Sequence, residues 1–296
     1  MERNINFKNP IYTEQTECQD CYRCIRHCPV KAIMVENGHA KIIPELCIMC
    51  GTCVKECPSN AKRIRNDLDF AKQILTTKEK VFVSLAPSFV SEFAGVDYRK
   101  IIAALKKLGF YGVSETSVGA DFVCEQIAQD LQQVKSEKKE NEQKLFLSSA
   151  CPAVVEYIKQ KYPEFSKYIT DRASPLLAHS RFLKKMYGEE IGVVFIGPCI
   201  AKKREADTWN TIDCVLTFSD FRNWLNEEKI ELEQIPIEDV DFVPVRASKA
   251  SLFPIDGGMV ETVKQYSKDS NFYSITVSGM SEIEKTLKNL NEKDLK

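Results

Sequence analysis

The sequence predicts an α/β chain, a mainly parallel sheet flanked by helices, carrying a small cysteine-rich unit at its N-terminus. Three observations point that way. Eight of the 12 cysteines fall between Cys18 and Cys57. From residue 81 onward, short apolar runs alternate with amphipathic stretches, the pattern of strands joined by crossover helices. The length of 296 residues suits two domains, at about 150 residues each. The change in composition after Arg65 divides the chain into 1–65 and 66–296.

The head contains two copies of one pattern. Cys18, Cys21, Cys24 and Cys28 are followed by Pro29, and Cys47, Cys50, Cys53 and Cys57 by Pro58. Each copy reads C-x2-C-x2-C-x3-C-P, the second displaced by 29 residues. Three thiolates on one tight loop wrap three corners of an iron–sulfur cube, and the fourth, sent away by proline, reaches the cube of the other copy. The expected ligand sets are therefore crossed: Cys18, Cys21, Cys24 and Cys57 for one [4Fe–4S] cluster, and Cys47, Cys50, Cys53 and Cys28 for the other. Structural zinc is the alternative, but zinc sites typically use two separated C-x2-C pairs rather than a triple run. His27 reads as an exposed or hydrogen-bonded side chain, since the thiolates are complete without it. Gly51 reads as a loop residue needing positive φ. Across residues 13–64 the head resembles the bacterial two-cluster ferredoxins, which implies a small α+β domain acting as an electron wire.

In the body, residues 66–80 read as a connecting helix. Strands are predicted at 81–85, 145–148, 191–196, 214–218 and 272–277. Helices are predicted at 98–108, 120–134, 175–187, 221–227 and 281–290; in the first, Ile101, Ile102, Leu105 and Leu108 recur at helical spacing. The charge run at 135–144 reads as a solvated helix end and loop.

Two cysteines stand at predicted strand-to-helix turns, in Ser148-Ser149-Ala150-Cys151-Pro152 and in Gly197-Pro198-Cys199-Ile200-Ala201-Lys202-Lys203-Arg204-Glu205. Such turns lie at the carboxyl end of a parallel sheet, where α/β proteins place their sites, and a helix N-terminus favours a thiolate. These two segments resemble the first two cluster-binding motifs of the [FeFe]-hydrogenases. Ser117-Val118-Gly119-Ala120-Asp121, Ala173-Ser174-Pro175, Phe253-Pro254-Ile255-Asp256-Gly257-Gly258 and Val277-Ser278-Gly279-Met280 also resemble that family. A two-cluster head on this body is the arrangement of the family's sensory branch. The resemblance implies that Cys151 and Cys199 ligate a cube, and that Lys202 binds a cyanide of the diiron unit bridged to it. Lys202 and Glu205 are then the candidates at catalytic positions; without the resemblance, Lys202 reads as a solvated helix-start lysine.

The sequence departs from that family twice. Ala150 stands where the hydrogenases carry a second, proton-passing cysteine. The third motif, a C-x3-C pair, is missing: no cysteine follows Cys214. Cys214 and Cys124 lie in apolar surroundings and read as small buried hydrophobes. The expectation is two [4Fe–4S] clusters and no complete diiron-bearing centre in this chain.

Lys plus Arg total 41 against 42 Asp plus Glu, so the net charge of −1 speaks against a nucleic-acid partner. The longest uncharged stretch, 270–281, is 12 residues, short of the ~20 of a membrane helix, and the opening residues do not read as a signal peptide. A cytoplasmic protein is expected. The function expected is iron–sulfur electron transfer or redox sensing without hydrogen turnover in this chain, with a redox or signalling protein as partner. Two alternatives stay open: a fragment of a true or sensory hydrogenase that evolves or oxidises H2, and an interaction module whose clusters only hold the fold.

Overall fold

The computed structural model describes residues 9–137, 145–267 and 272–290. The head comprises β1 (Ile11–Thr13), α1 (Arg23–His27), β2 (Ile33–Glu36), β3 (His39–Ile42), α2 (Thr52–Lys55) and β4 (Lys62–Ile64). β1 pairs antiparallel with β4, and β2 with β3 through a tight turn in which Asn37 and Gly38 both take positive φ, as two-residue hairpin turns require. The sequence repeat is also a backbone repeat. Asp20, Tyr22 and Lys31 take φ of 53°, 54° and 57°, and Met49, Gly51 and Asn60, each 29 positions later, take 58°, 79° and 54°. Both copies thus use the same left-handed kinks between cysteines, and Gly51 occupies one of them as expected.

The body runs α3 (Leu68–Thr77), β5 (Val81–Leu85), α4 (Phe89–Glu92), α5 (Tyr98–Lys107), β6 (Gly112–Glu115), α6 (Thr116–Glu137), α7 (Pro152–Lys161), α8 (Pro175–Tyr187), β7 (Gly192–Ile196), α9 (Ala201–Thr208), β8 (Cys214–Leu216), α10 (Phe218–Glu227), α11 (Gly258–Tyr266) and α12 (Met280–Asn289). Four strands form one fully parallel sheet in the order β6-β5-β7-β8. β5 and β7 are buried at every residue, which is why they read as unbroken apolar runs. The strand order reverses between β5 and β7, and Cys199 follows the carboxyl end of β7, where sheets of this kind hold their sites. Helix starts are set locally: Asp97 caps α5, Ser174 caps α8 ahead of Pro175, and Thr217 and Asp220 form a reciprocal capping box on α10. Among the described residues no helix is long and apolar enough to cross a membrane.

Two predicted strands are not strands. In 145–148 only Leu147 makes a single parallel bridge, to Ile169, because the partner segment is a 3-10 turn (Pro163–Tyr168) with one extended residue beyond it. Segment 272–277 has no ladder partner among the described residues; the sheet edges are β6 and β8, and Tyr273 is left 96% exposed and Ile275 62%. Conversely β6 was not predicted, because Gly-Val-Ser-Glu lacks an apolar run. Its Ser114 is buried against a polar partner inside the body. The charge run begins at Lys135 in the last turn of α6, which ends at Glu137, and 138–144 lie outside the described residues.

That partner is His179 of α8. It is fully buried, with Nδ1 2.7 Å from Ser84 Oγ and Nε2 2.8 Å from Ser114 Oγ. Three elements, β5, β6 and α8, are tied through one imidazole. Desolvation pushes its pKa down to about 3, so the neutral ring is the folded form. The unfolded chain binds a proton near pH ~6.5 and the folded one does not, so stability is lost as pH falls below that value. Acidification from about pH 7.5 to about pH 5.5 is expected to lower unfolding free energy by about 1.4 kcal/mol through this residue. Urea titrations of the protein and of His179→Asn at both pH values check this; an equal pH dependence in the two sinks it.

Gly119, in one of the motifs above, lets α6 and α8 touch. A Cβ there would lie 2.1 Å from the Pro175 carbonyl oxygen and 2.7 Å from the His179 nitrogen. Both are backbone atoms that cannot rotate away. Gly119→Ala is expected to cost about 2–3 kcal/mol by overpacking, read as a lowered urea midpoint at unchanged slope.

Candidate metal centre

All 12 cysteines are free thiols. In the head, Cys24, Cys28, Cys47 and Cys53 are buried, Cys18, Cys50 and Cys57 half-buried, and Cys21 exposed. Burial pushes the Cys24 thiol up, and the charges of Cys57 and Cys18 add to it. Burial likewise pushes up Cys47, with Cys50 and Cys28 adding, and drives Cys53 to about 12, with Cys47, Cys50 and Cys28 adding. Cys28 thus lines one cavity with Cys47, Cys50 and Cys53 of the other copy, and the charge of Cys57 acts on Cys24. Burial also acts against the Cys57 thiolate, but donors at Lys62, Ser59 and Ala61 outweigh it and lower that thiol.

Four mutually repelling thiolates in one place are stable only around a strongly cationic group. Cys28, Cys47, Cys50 and Cys53 line one cavity, partly open to solvent, whose other walls are mostly apolar, among them Ile11, Ile33, Ile42 and Ile48. The Ala32 N–H donates to Cys28 Sγ at 3.2 Å, a bond that favours sulfur carrying negative charge. Donor set, dry walls and N–H···S bonding fit a [4Fe–4S] cube. His27 is exposed, its Nε2 3.9 Å from Glu56, and belongs to neither set.

One head residue of consequence was missed in the sequence. Lys62 is 3% exposed and donates to the Ala40 carbonyl at 2.7 Å and to Thr13 Oγ1. Its charge bears on Cys24 and Cys53, one thiol from each set. Nothing in a lysine four residues past a cysteine-proline pair distinguishes it from a surface residue.

In the body, Cys151 is the exposed N-cap of α7 and Cys199 lies two residues before α9. Burial pushes the Cys199 thiol up, Lys202 opposes this, and Cys151 adds to it, so the two cysteines face one another's field. Lys202 and Glu205 form a pair at 2.6 Å with both side chains under a tenth exposed, and Ser174 donates to the other oxygen of Glu205. The motifs of Cys199, Lys202 and Glu205 and of Ser174 are thus brought together. Lys202 is not a solvated helix-start lysine. Cys124 and Cys214 are buried elsewhere, burial pushing Cys124 to about 12 and Cys214 upward. Two thiols are half of what a cube takes.

Head and body meet at α9. Arg204 donates to the carbonyl oxygens of Cys47 (2.6 Å) and Pro44 (2.7 Å). A Cβ on Gly51 would lie 2.9 Å from Ile200 Cδ1. Cys199, Ile200 and Ala201 share one apolar cluster with the head cysteines, Ala153 and Tyr157.

Residues 79–296 match the iron-only hydrogenase large subunit, C-terminal domain, and residues 10–67 match the 4Fe-4S dicluster domain. Similar proteins include the periplasmic [Fe] hydrogenase large subunit of Nitratidesulfovibrio vulgaris, 26% identical over 88% of this chain and 68% of that protein. Iron hydrogenase 1 of Clostridium pasteurianum is 27% identical over 88% of this chain and 51% of that protein. The cytosolic Fe-S cluster assembly factor narfl of Danio rerio is 28% identical over 57% of this chain and 48% of that protein. The chain thus spans about half the length of the last two. A solved [FeFe]-hydrogenase HydA1 from Chlamydomonas reinhardtii shares the fold, with TM-score 0.58 at 24% identity over 68% of this chain and 57% of that one.

Crossed ligation has a direct test. Cys57→Ala is expected to abolish the cluster of Cys18, Cys21 and Cys24 and spare its neighbour; Cys28→Ala is expected to do the reverse. Iron content and the EPR signals of the reduced variants distinguish them, and loss of the opposite cluster in either one rules the assignment out.

Proposed function

Because the chain belongs to the iron-only hydrogenase large-subunit family, we propose that it is an iron–sulfur protein moving single electrons between a redox or signalling partner and the Cys151–Cys199 end of its body. It does so without hydrogen turnover by its own residues. Two [4Fe–4S] cubes, when bound, supply one-electron carriers of low potential, since all eight ligands are thiolates. The observation that carries the reading is the continuity at α9. The helix that begins beside Cys199 grips, through Arg204, the backbone of Cys47, a ligand of one head set. The exposed Cys21 puts the other set within reach of a partner's surface.

The body residues support transfer or sensing over turnover. Ala150 has no titratable group, so a proton relay at that position is absent. The similarity to proteins named cytosolic Fe-S cluster assembly factors supports roles in this family other than hydrogen chemistry. Eight cysteines clustered at metal-ligand spacing suit a reducing compartment such as the cytoplasm.

A second reading, that these residues belong to a longer hydrogenase, is favoured by the buried Lys202–Glu205 pair beside Cys199. A C-x3-C pair further along the reading frame, together with CO and cyanide infrared bands after maturation, decides for it.

Anaerobic reconstitution is expected to give about eight irons per chain with matching sulfide. Reduction is expected to produce EPR signals of two interacting clusters, and hydrogen evolution with a strong reductant is expected to stay at background. Zinc in place of iron, or clusters that no low-potential donor reduces, would falsify the electron-transfer reading.

A further inference from the structure

Arg204 stands apart from its neighbours on α9. Lys202 is paired with Glu205, and Lys203 with Asp67 and Asp220. Arg204 makes no carboxylate pair among the described residues. Its two guanidinium nitrogens go instead to backbone carbonyls of the head, one of them that of the ligand Cys47. A half-buried guanidinium with no counter-charge among the described residues is thus held against the backbone of Cys47, in the sulfur set Cys28, Cys47, Cys50 and Cys53.

The other set sits in a different field. Asp20 Oδ1 is 3.4 Å from Cys18 Sγ and shares its charge with His39 at 3.0 Å. Lys62 bears on a thiol from each set. Arg204 is thus hydrogen-bonded to a residue of one set and Asp20 to a residue of the other.

We propose that Arg204 is a positioning residue for electron flow: its uncompensated charge raises the reduction potential of the cluster held by Cys28, Cys47, Cys50 and Cys53 above that of its neighbour. This makes transfer toward the body downhill. The inference rests on the reading that both clusters bind. Reduction adds one electron, taken from a low-potential donor, with no bond made or broken. The added negative charge is stabilised by a cation close by in a medium of low dielectric. Arginine suits the role because it stays protonated at any working pH and its planar fork spans two carbonyls. The direction of the field on this set agrees, since Arg204 favours the thiolate of Cys47.

The test is an EPR-monitored redox titration of the reconstituted full chain. In Arg204→Gln one of the two midpoints is expected to move to lower potential while the other stays. The moving midpoint is expected to belong to the signal that Cys28→Ala removes. Arg204→Lys keeps the charge and gives up the fork, so it is expected to bind the full iron complement with midpoints close to those of the parent. Unchanged midpoints in Arg204→Gln, or equal movement of both, overturn the proposal. So does an Arg204→Lys variant that loses iron or shifts as far as the glutamine variant, which assigns the residue to holding the loop. Failure of the parent chain to bind two clusters is a different result, and defeats the underlying reading instead.

Discussion

Lys203 is fully buried, its ammonium 2.9 Å from Asp67, 3.4 Å from Asp220 and 2.8 Å from the Val215 carbonyl oxygen. Asp67 also takes both prongs of Arg65, whose guanidinium reaches Asp207 at 2.9 Å. Arg65 directly follows the last head strand, Asp67 opens α3, Lys203 and Asp207 lie on α9, and Asp220 is in the first turn of α10. One network of charges therefore joins the end of the head to the helix that starts beside Cys199. Removing one member of such a buried set leaves an unpaired charge at a cost of roughly 3–5 kcal/mol. The arrangement is consequently rigid, and it fixes how the head cysteines face the body.

Rigidity at α9 gives three consecutive cations three different jobs. Lys202 turns toward Cys199 and is held by Glu205, Lys203 turns into the core, and Arg204 turns toward the head. About 100° separates successive side chains on a helix, so three adjacent residues can address three surroundings at once. The same spacing explains why Gly51 and Ile200 meet: the helix start and the second cysteine loop are pressed together by the contacts on either side of them.

The thiols supply the complementary half of the electrostatics. Desolvation pushes Cys24, Cys47, Cys53 and Cys199 toward the neutral form. Only N–H donors, Lys62, Arg204, Lys202 and a bound cationic group oppose it. The protein is in this sense unfinished until the thiolates are compensated, and metal binding and folding of the head are linked.

Much of the fold and of the site was legible in the residues alone. The eight head cysteines declare themselves because ligand chemistry demands particular residues at short spacing on one loop. β5 and β7 show as apolar runs because a parallel sheet buries both faces. Cys199 follows from strand-to-helix alternation and its motif, whereas Cys151, with no strand before it, is legible from its motif alone. What the sequence concealed are the features that depend on partners far along the chain. β6 and the His179 node join residues up to 95 positions apart, and segment 272–277 has strand-like alternation but no ladder partner among the described residues. Lys62, Lys203 and Arg204 are ordinary lysines and arginines in the sequence, whose charges acquire meaning only through the carbonyls, carboxylates and thiols brought to them. Local chemistry determined which atoms can bind metal; the tertiary structure decided which charges surround them, because Coulomb energy depends on distance in space and on the burial that sets the dielectric, neither of which is a property of sequence order.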